Sequence, residues 1–173
     1  MNRRQDWPER LAWFLESRHE PERVWGYNDC GMFCADAILA MTDVDPGAEL
    51  RGTYRSAKQA LRALVQYFQK RGLPMPAWQH QPDSLLGDIA EQAAQIYGWP
   101  IIELQTAQRG DLVLLDVTEE MTEQEKTQTR QDANAIRWTR ALGIIGMNGL
   151  PVTSGEKGIM ELPSERIVRA WRV

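Results

Sequence analysis

Trp25-Gly26-Tyr27-Asn28-Asp29-Cys30-Gly31-Met32-Phe33 is the stretch on which the reading of this chain turns. Its glycine, asparagine and aspartate form a turn signal that runs into a helix cap. Behind it, Cys30, Phe33, Cys34, Ala37, Ile38 and Met41 recur at helical spacing, so a helix starts at or near Cys30 with Asp29 or Asn28 as its cap. A cysteine in a first helical turn faces the positive end of the helix dipole and several backbone N–H groups that lack intrahelical partners. Both lower a thiol pKa and favour the thiolate, which makes Cys30 a candidate nucleophile. The same N–H groups are candidates for part of an oxyanion hole, with the Tyr27 hydroxyl as a further donor. The competing reading of Cys30 is a small buried hydrophobe, because free cysteine is among the most buried residue types. Cys34, one turn further along the same apolar face, reads as core.

On the N-terminal side, Trp7, Leu11, Phe14 and Leu15 give a first helix with Asp6 at its cap and Pro8 in its first turn, ending near Arg18-His19. On the other side, Asp45-Pro46-Gly47 marks a loop over 42–51. A helix follows over 56–71, capped by Ser56, with Ala57, Ala60, Leu61, Leu64, Val65 and Phe68 on one face and Gly72 at its end. Leu73 to Pro82 is irregular because of its prolines. A fourth helix then carries Leu86, Ile89, Ala90, Ala93, Ile96 and Tyr97, capped by Asp83 or Ser84 and stopped at Gly98.

The character changes after Pro100. Asp111 to Leu115 is a short apolar run typical of a buried strand. Residues 117–135 are polar and read as a surface insertion between two strands. Strand character resumes over 136–147, and Asn148-Gly149 signals a two-residue hairpin into 150–154. Ile159–Leu162 and Ile167–Val173 read as two further strands. Helices first and an antiparallel meander afterwards predict an α+β fold in one domain over 1–173.

Composition narrows the function classes. The chain has 173 residues, 43% hydrophobic and 25% charged, within the range of one globular domain. A net charge of −4 lacks the basic stripe of a nucleic-acid binder, so no nucleic-acid partner is expected. No apolar run approaches the roughly 18 residues of a membrane span, and the first residues lack the apolar stretch of a secretory signal. Two cysteines are too few for a disulfide framework, which fits reduced thiols made in a cytosol. Two cysteines on one helical turn, with only His19 and His80 to add nitrogen ligands, make a poor metal site; no metal and no cofactor is expected. Seven tryptophans against three phenylalanines point to large buried aromatics or an aromatic contact surface.

With its flanks, the cysteine segment resembles the NlpC-type branch of the papain-like cysteine peptidases. There a Trp-Gly turn leads to Asp-Cys at the head of a helix, and a Gly-Asp-hydrophobic strand follows; here these are Trp25-Gly26…Asp29-Cys30 and Arg109-Gly110-Asp111-Leu112-Val113-Leu114. The chain is similar over most of its length, outside 117–135, to a phage-encoded family of unknown function related to that branch. The matching pieces include Leu50-Arg51-Gly52-Thr53-Tyr54-Arg55, Leu142-Gly143-Ile144…Gly146 and Arg169-Ala170-Trp171-Arg172-Val173. The resemblance implies a papain-like fold of NlpC type, with N-terminal helices packed on a C-terminal antiparallel sheet. It also implies a place in the phage tail tip or baseplate, with other tail proteins as partners and the virion as the destination of a chain made in the bacterial host cytoplasm.

One departure bears on activity. The general-base histidine of NlpC-type enzymes opens the strand after the Gly-Asp strand, and Ala141 stands there. Alanine has no proton-accepting atom, so the standard Cys–His pair cannot form at that position. The orienting group would fall at Thr153 or Ser154. His19, eleven positions before Cys30, is the remaining candidate base, and His80 sits in a proline-flanked loop. Asp29 and Asp36 are poor partners for a thiolate, since a carboxylate raises a thiol's pKa; Asp36 reads as a polar group holding a loop. The expectation is a degenerate peptidase fold with a structural or assembly role. The alternative is an active cysteine amidase or endopeptidase that cleaves peptidoglycan peptides through Cys30, and a peptide- or ligand-binding module in the old cleft is the third reading.

Overall fold

A computed structural model describes residues 2–73, 85–118 and 139–173. Four α-helices come first: α1 (Trp7–Glu16), α2 (Cys30–Thr42), α3 (Ala57–Lys70) and α4 (Leu85–Tyr97). Six strands follow, β1 (Ile101–Ile102), β2 (Leu112–Asp116), β3 (Arg140–Ile145), β4 (Pro151–Ser154), β5 (Ile159–Glu161) and β6 (Ile167–Trp171). The fold is α+β, as the order of apolar periodicities implies.

Local chemistry accounts for most helix boundaries. Ser56 caps α3 by accepting from the Gln59 N–H, and the Gln59 side chain accepts in return from the Arg55 N–H. Asp6 stands at the head of α1 but makes no cap bond; its carboxylate lies by Arg4 instead. The cap expected for α4 and the histidine at 80 lie outside the described residues, as does the polar insertion beyond Thr118. The two strands that this insertion joins, β2 and β3, are direct neighbours in the sheet.

The sheet is antiparallel throughout, in the order β1-β6-β2-β3-β4-β5. Only β2 to β5 form the meander read from the sequence. The last strand, β6, returns to the far side of β2, and the short β1, which the sequence reading did not separate, adds to its outer edge. The β3–β4 hairpin is also not the two-residue type. The Gly149 N–H donates to the Gly146 carbonyl and the Gly146 N–H to the Leu150 carbonyl, with Gly149 alone in the turn at positive φ (+86°). This is a longer turn in which glycine takes the left-handed position, whereas the two-residue form would need Asn148 there as well.

Alternation along the strands divides the core. Leu112, Leu114, Leu142, Ile144 and Val152 pack with Phe33, Ile38 and Met41 of α2 and with α1 and α4. Val113, Leu115, Ile145, Ile167 and Ala170 form a second cluster on the other face. Trp171 and Trp99 are buried in the first cluster, as the first reading of the tryptophans expects, while Trp13 on α1 is 76% exposed.

Asp111 ties the two ends of the described chain to this sheet. Its carboxylate is fully buried just before β2, where it accepts from Arg3 (2.6 Å), Arg172 (3.3 Å) and the Gln108 N–H (3.0 Å). Arg3 also donates to the Arg109 carbonyl and lies over the Trp7 ring, which fixes the start of α1 against the same loop. Gly110 is required in that loop, since its φ is +79° and a Cβ would stand 2.7 Å from the Met41 sulfur. Asp111→Ala should lower stability by about 2–4 kcal/mol through the loss of a buried charge network. Urea unfolding checks this, and Arg3→Ala should reproduce part of the loss.

Candidate functional site

The Asp29 carboxylate builds the head of α2. One oxygen accepts from the Gly31 N–H (3.0 Å) and the Met32 N–H (3.1 Å), and the other from the Gly26 N–H (2.7 Å). The Tyr54 hydroxyl lies near enough to the same carboxylate for its charge to act on it. Gly26 can take part because it has no side chain. Its φ is +78°, and a Cβ would lie 2.4 Å from the Tyr54 carbonyl oxygen. The Gly52 N–H donates to the Gly26 carbonyl, so the turn at 25–28 and the loop at 52–54 are stitched together over the helix end. Trp25 packs edge-on to Tyr54.

This arrangement sets Cys30 against the sheet. The β3–β4 ladder runs only through Ile145↔Pro151 and Ile144↔Val152. Beyond it the Thr153 hydroxyl donates to the Leu142 carbonyl (2.7 Å), and the Ser154 hydroxyl donates to the Asn28 carbonyl (2.7 Å). The head of α2 is thereby anchored where the two strands part, with the Leu142 N–H near enough to the Cys30 sulfur to act on it. By the pleat, Ala141 and Thr153 fall on the face opposite Leu142 and Ile144, so Ala141 does not look onto the body of α2. It lines, with Cys30, Thr153 and Arg140, one end of a cavity of about 660 Å³.

The cavity has two characters. Its polar end carries Arg23, Asp29, Cys30, Arg140, Ser154 and Glu156; the rest of its wall is apolar and comes largely from α2, α3 and α4. Of the residues singled out from the sequence, Cys30 lies on this cavity and Tyr27 and His19 do not. Tyr27 is 51% exposed, with its hydroxyl against Gly52. The His19 ring is exposed beside Glu16 (3.6 Å). No imidazole lines the cavity among the described residues. Asp36 holds a loop as expected, pairing with Arg18 (2.7 Å) and Arg51 (2.7 Å), while Arg51 also reaches Asp45 (3.0 Å).

Three cavity residues were not picked out by sequence reasoning: Tyr54, Arg23 and Arg140. Tyr54 could have been found, because it sits inside the Leu50–Arg55 motif. Nothing local marked the arginines. Arg140 faces Asp116 across the β2–β3 pair (2.5 Å).

The electrostatics decide what the thiol can do. Burial pushes the Cys30 thiol up to about 11, and the Asp29 carboxylate adds to the rise. The Leu142 and Gly31 N–H groups and the Arg23 guanidinium pull the other way and are outweighed. Cys34, deeper in the core, is raised well above the ordinary thiol range by burial. Burial and Asp29 also raise Tyr54, so its hydroxyl stays protonated. The first-turn donors available for an oxyanion are largely taken, since Gly31 and Met32 already donate to Asp29.

Two outcomes follow from this geometry. Asp29→Ala strands three backbone N–H groups, so it should cost about 2–4 kcal/mol by denaturant unfolding; Asp29→Asn should recover part of the loss. For the thiol, iodoacetamide labelling from pH 5 to 9 should modify Cys30 at pH 7 roughly 100-fold more slowly than a free thiol and faster as pH rises. Cys34 should react only in unfolded chains. Because the folded pKa lies above the unfolded value of about 8.5, the neutral thiol's contribution to stability is full below pH 8.5 and is lost as pH climbs toward 11. Cys30→Ala should therefore flatten part of the alkaline decline in Tm. Cys30 labelling already complete at pH 6 would contradict the site electrostatics.

Comparison with curated proteins and with solved structures yields no match. A family model does match, and it takes in the helix head at Asp29-Cys30, the Tyr54 loop, the Asp111 hub and the closing strand alike. Matched over residues 2–173, the chain belongs to the family described as Domain of unknown function (DUF6950).

Proposed function

We propose that this protein is a degenerate relative of the NlpC-type cysteine peptidases, and that it serves a phage tail tip or baseplate as a structural or assembly component without hydrolysing peptides. The order of parts supports the relation: a capped Cys30 heading a core helix, then the Gly110-Asp111 strand β2, then β3 beside it. The observation that carries the loss of hydrolysis is the surroundings of Cys30. The strand start that meets the cysteine end of the cavity presents Ala141, and the hydroxyls of Thr153 and Ser154 are spent on backbone carbonyls. A thiol held near 11 with no imidazole among the described cavity residues lacks the proton acceptor that acyl transfer needs. The position of Cys30 at a helix N-terminus on a cavity is the one observation favouring the alternative, a hydrolase that acts on peptidoglycan peptides.

The two readings separate in one experiment. Purified protein and its Cys30→Ser variant are incubated with muropeptides, and products are read by mass spectrometry. No cleavage by either is expected, and Ala141→His tests whether a restored imidazole brings back measurable turnover. Cleavage by the unmodified chain that Cys30→Ser abolishes overturns the proposal. The assembly role is checked by proteomics of purified phage particles and tail intermediates from a host carrying the gene. The chain is expected in one or both, and its absence from both sinks that role.

A further inference from the structure

We infer that the cavity beside Cys30 is a binding site for a linear acyl chain bearing an anionic head, with the chain between α2, α3 and α4 and the head at Arg23. At about 660 Å³ the cavity falls within the size range of ligand pockets. It exists because small residues meet where three helices face one another: Ala35 on α2, Ala57 and Ala60 on α3, Ala90 and Ala93 on α4. Larger side chains at these positions would have closed a core, as interiors normally do. Ile38, Leu64, Leu86 and Ile89 supply the rest of that wall, and none of these side chains carries a nitrogen or oxygen.

The wall chemistry selects the occupant. Beside this wall the Trp99 indole N–H, buried and without a hydrogen-bond partner among the described residues, offers one donor. A peptide lying along α2, α3 and α4 would still bury most of its N–H and C=O groups unpaired, at a cost of a few kcal/mol each. A hydrocarbon chain carries no such groups and gains from every apolar contact. The head is chosen by the charges at the other end. Asp29 is held by its donors, and Arg140 is paired with Asp116. Arg23 lines the same end and has no carboxylate partner among the described residues. It shares that end of the cavity with Cys30, and its charge is felt at the sulfur. Glu156, exposed on that rim, and the buried Asp29 carboxylate are the opposing charges, and of the two Asp29 has its lone pairs already occupied by backbone N–H donors. The inference goes beyond the preceding proposal and does not require it, since peptide cleavage and acyl binding are read independently.

The test uses the full chain and dodecanoate, followed by calorimetry below the critical micelle concentration. Dodecanoate should bind at least 100-fold more tightly than butanoate. Arg23→Gln, a change at an exposed residue, should weaken dodecanoate about 5- to 10-fold and leave dodecanol unchanged. Ala60→Phe and Ala90→Leu fill the chain site from opposite helices, and each should weaken both ligands at least 10-fold while keeping a cooperative melt. Brominated undecanoate gives a readout on the unaltered protein: it should quench fluorescence in the wild type more than in Trp99→Phe, because Trp99 lines the cavity. The inference is overturned if dodecanoate binds no better than butanoate, or if neither filling variant that folds weakens it. Preference for dodecyltrimethylammonium over dodecanoate would overturn the assignment of the head to Arg23, and tighter binding of an apolar peptide would overturn the acyl class.

Discussion

A single buried carboxylate holds the head of α2, and the arrangement around Cys30 depends on it. Asp29 gathers N–H groups from Gly26 before the helix and from Gly31 and Met32 within it, and its charge acts on the Tyr54 hydroxyl from a loop further along the chain. Burying a carboxylate is costly unless its lone pairs are satisfied, so the turn, the helix start and the 52–54 loop are constrained together. Gly26 and the close approach of the Tyr54 carbonyl belong to the same constraint. Once the helix head is fixed in this way, Ser154 can reach the Asn28 carbonyl and Leu142 can reach the thiol.

The same interaction limits the chemistry it positions. A helix N-terminus ordinarily lowers a thiol pKa and offers donors to an oxyanion. Here the donors go to Asp29, and its negative charge lies beside the sulfur. Burial adds to that charge, and Arg23 does not offset the two. The cap thus ties the turn to the helix head and keeps the thiol protonated at neutral pH.

A second carboxylate plays a comparable part in the scaffold. Asp111 joins Arg3 and Arg172, so residues near both ends of the chain meet at the start of the central strand β2. The β6 strand is drawn to the far side of β2 and the helices cover the near side. Against this sheet, the space between α2, α3 and α4 is under-filled among the described residues. The alanines that create it are ordinary helix formers, which shows why propensity and cavity formation carry separate information.

Local patterns determined the class of fold. Helical spacing and caps marked α2 and α3, and the apolar run after Gly110 marked β2, because these elements are set by interactions a few residues apart. Cys30 at the start of α2 and Asp29 as its cap were legible for the same reason. Tyr27 and His19 looked available from the sequence, yet one hydroxyl rests on Gly52 and one ring lies by Glu16, away from the cavity. Conversely, Tyr54, Arg23 and Arg140 join the site across long stretches of chain, and the return of β6 to β2 is a pairing between distant segments. No periodicity encodes such contacts. The sequence by itself therefore determined most of the elements, though not the short β1, and the helix that carries the thiol. Tertiary structure alone decided which groups surround that thiol and that a cavity lies beside it, because burial, charge proximity and unfilled volume arise only when separate elements are packed together.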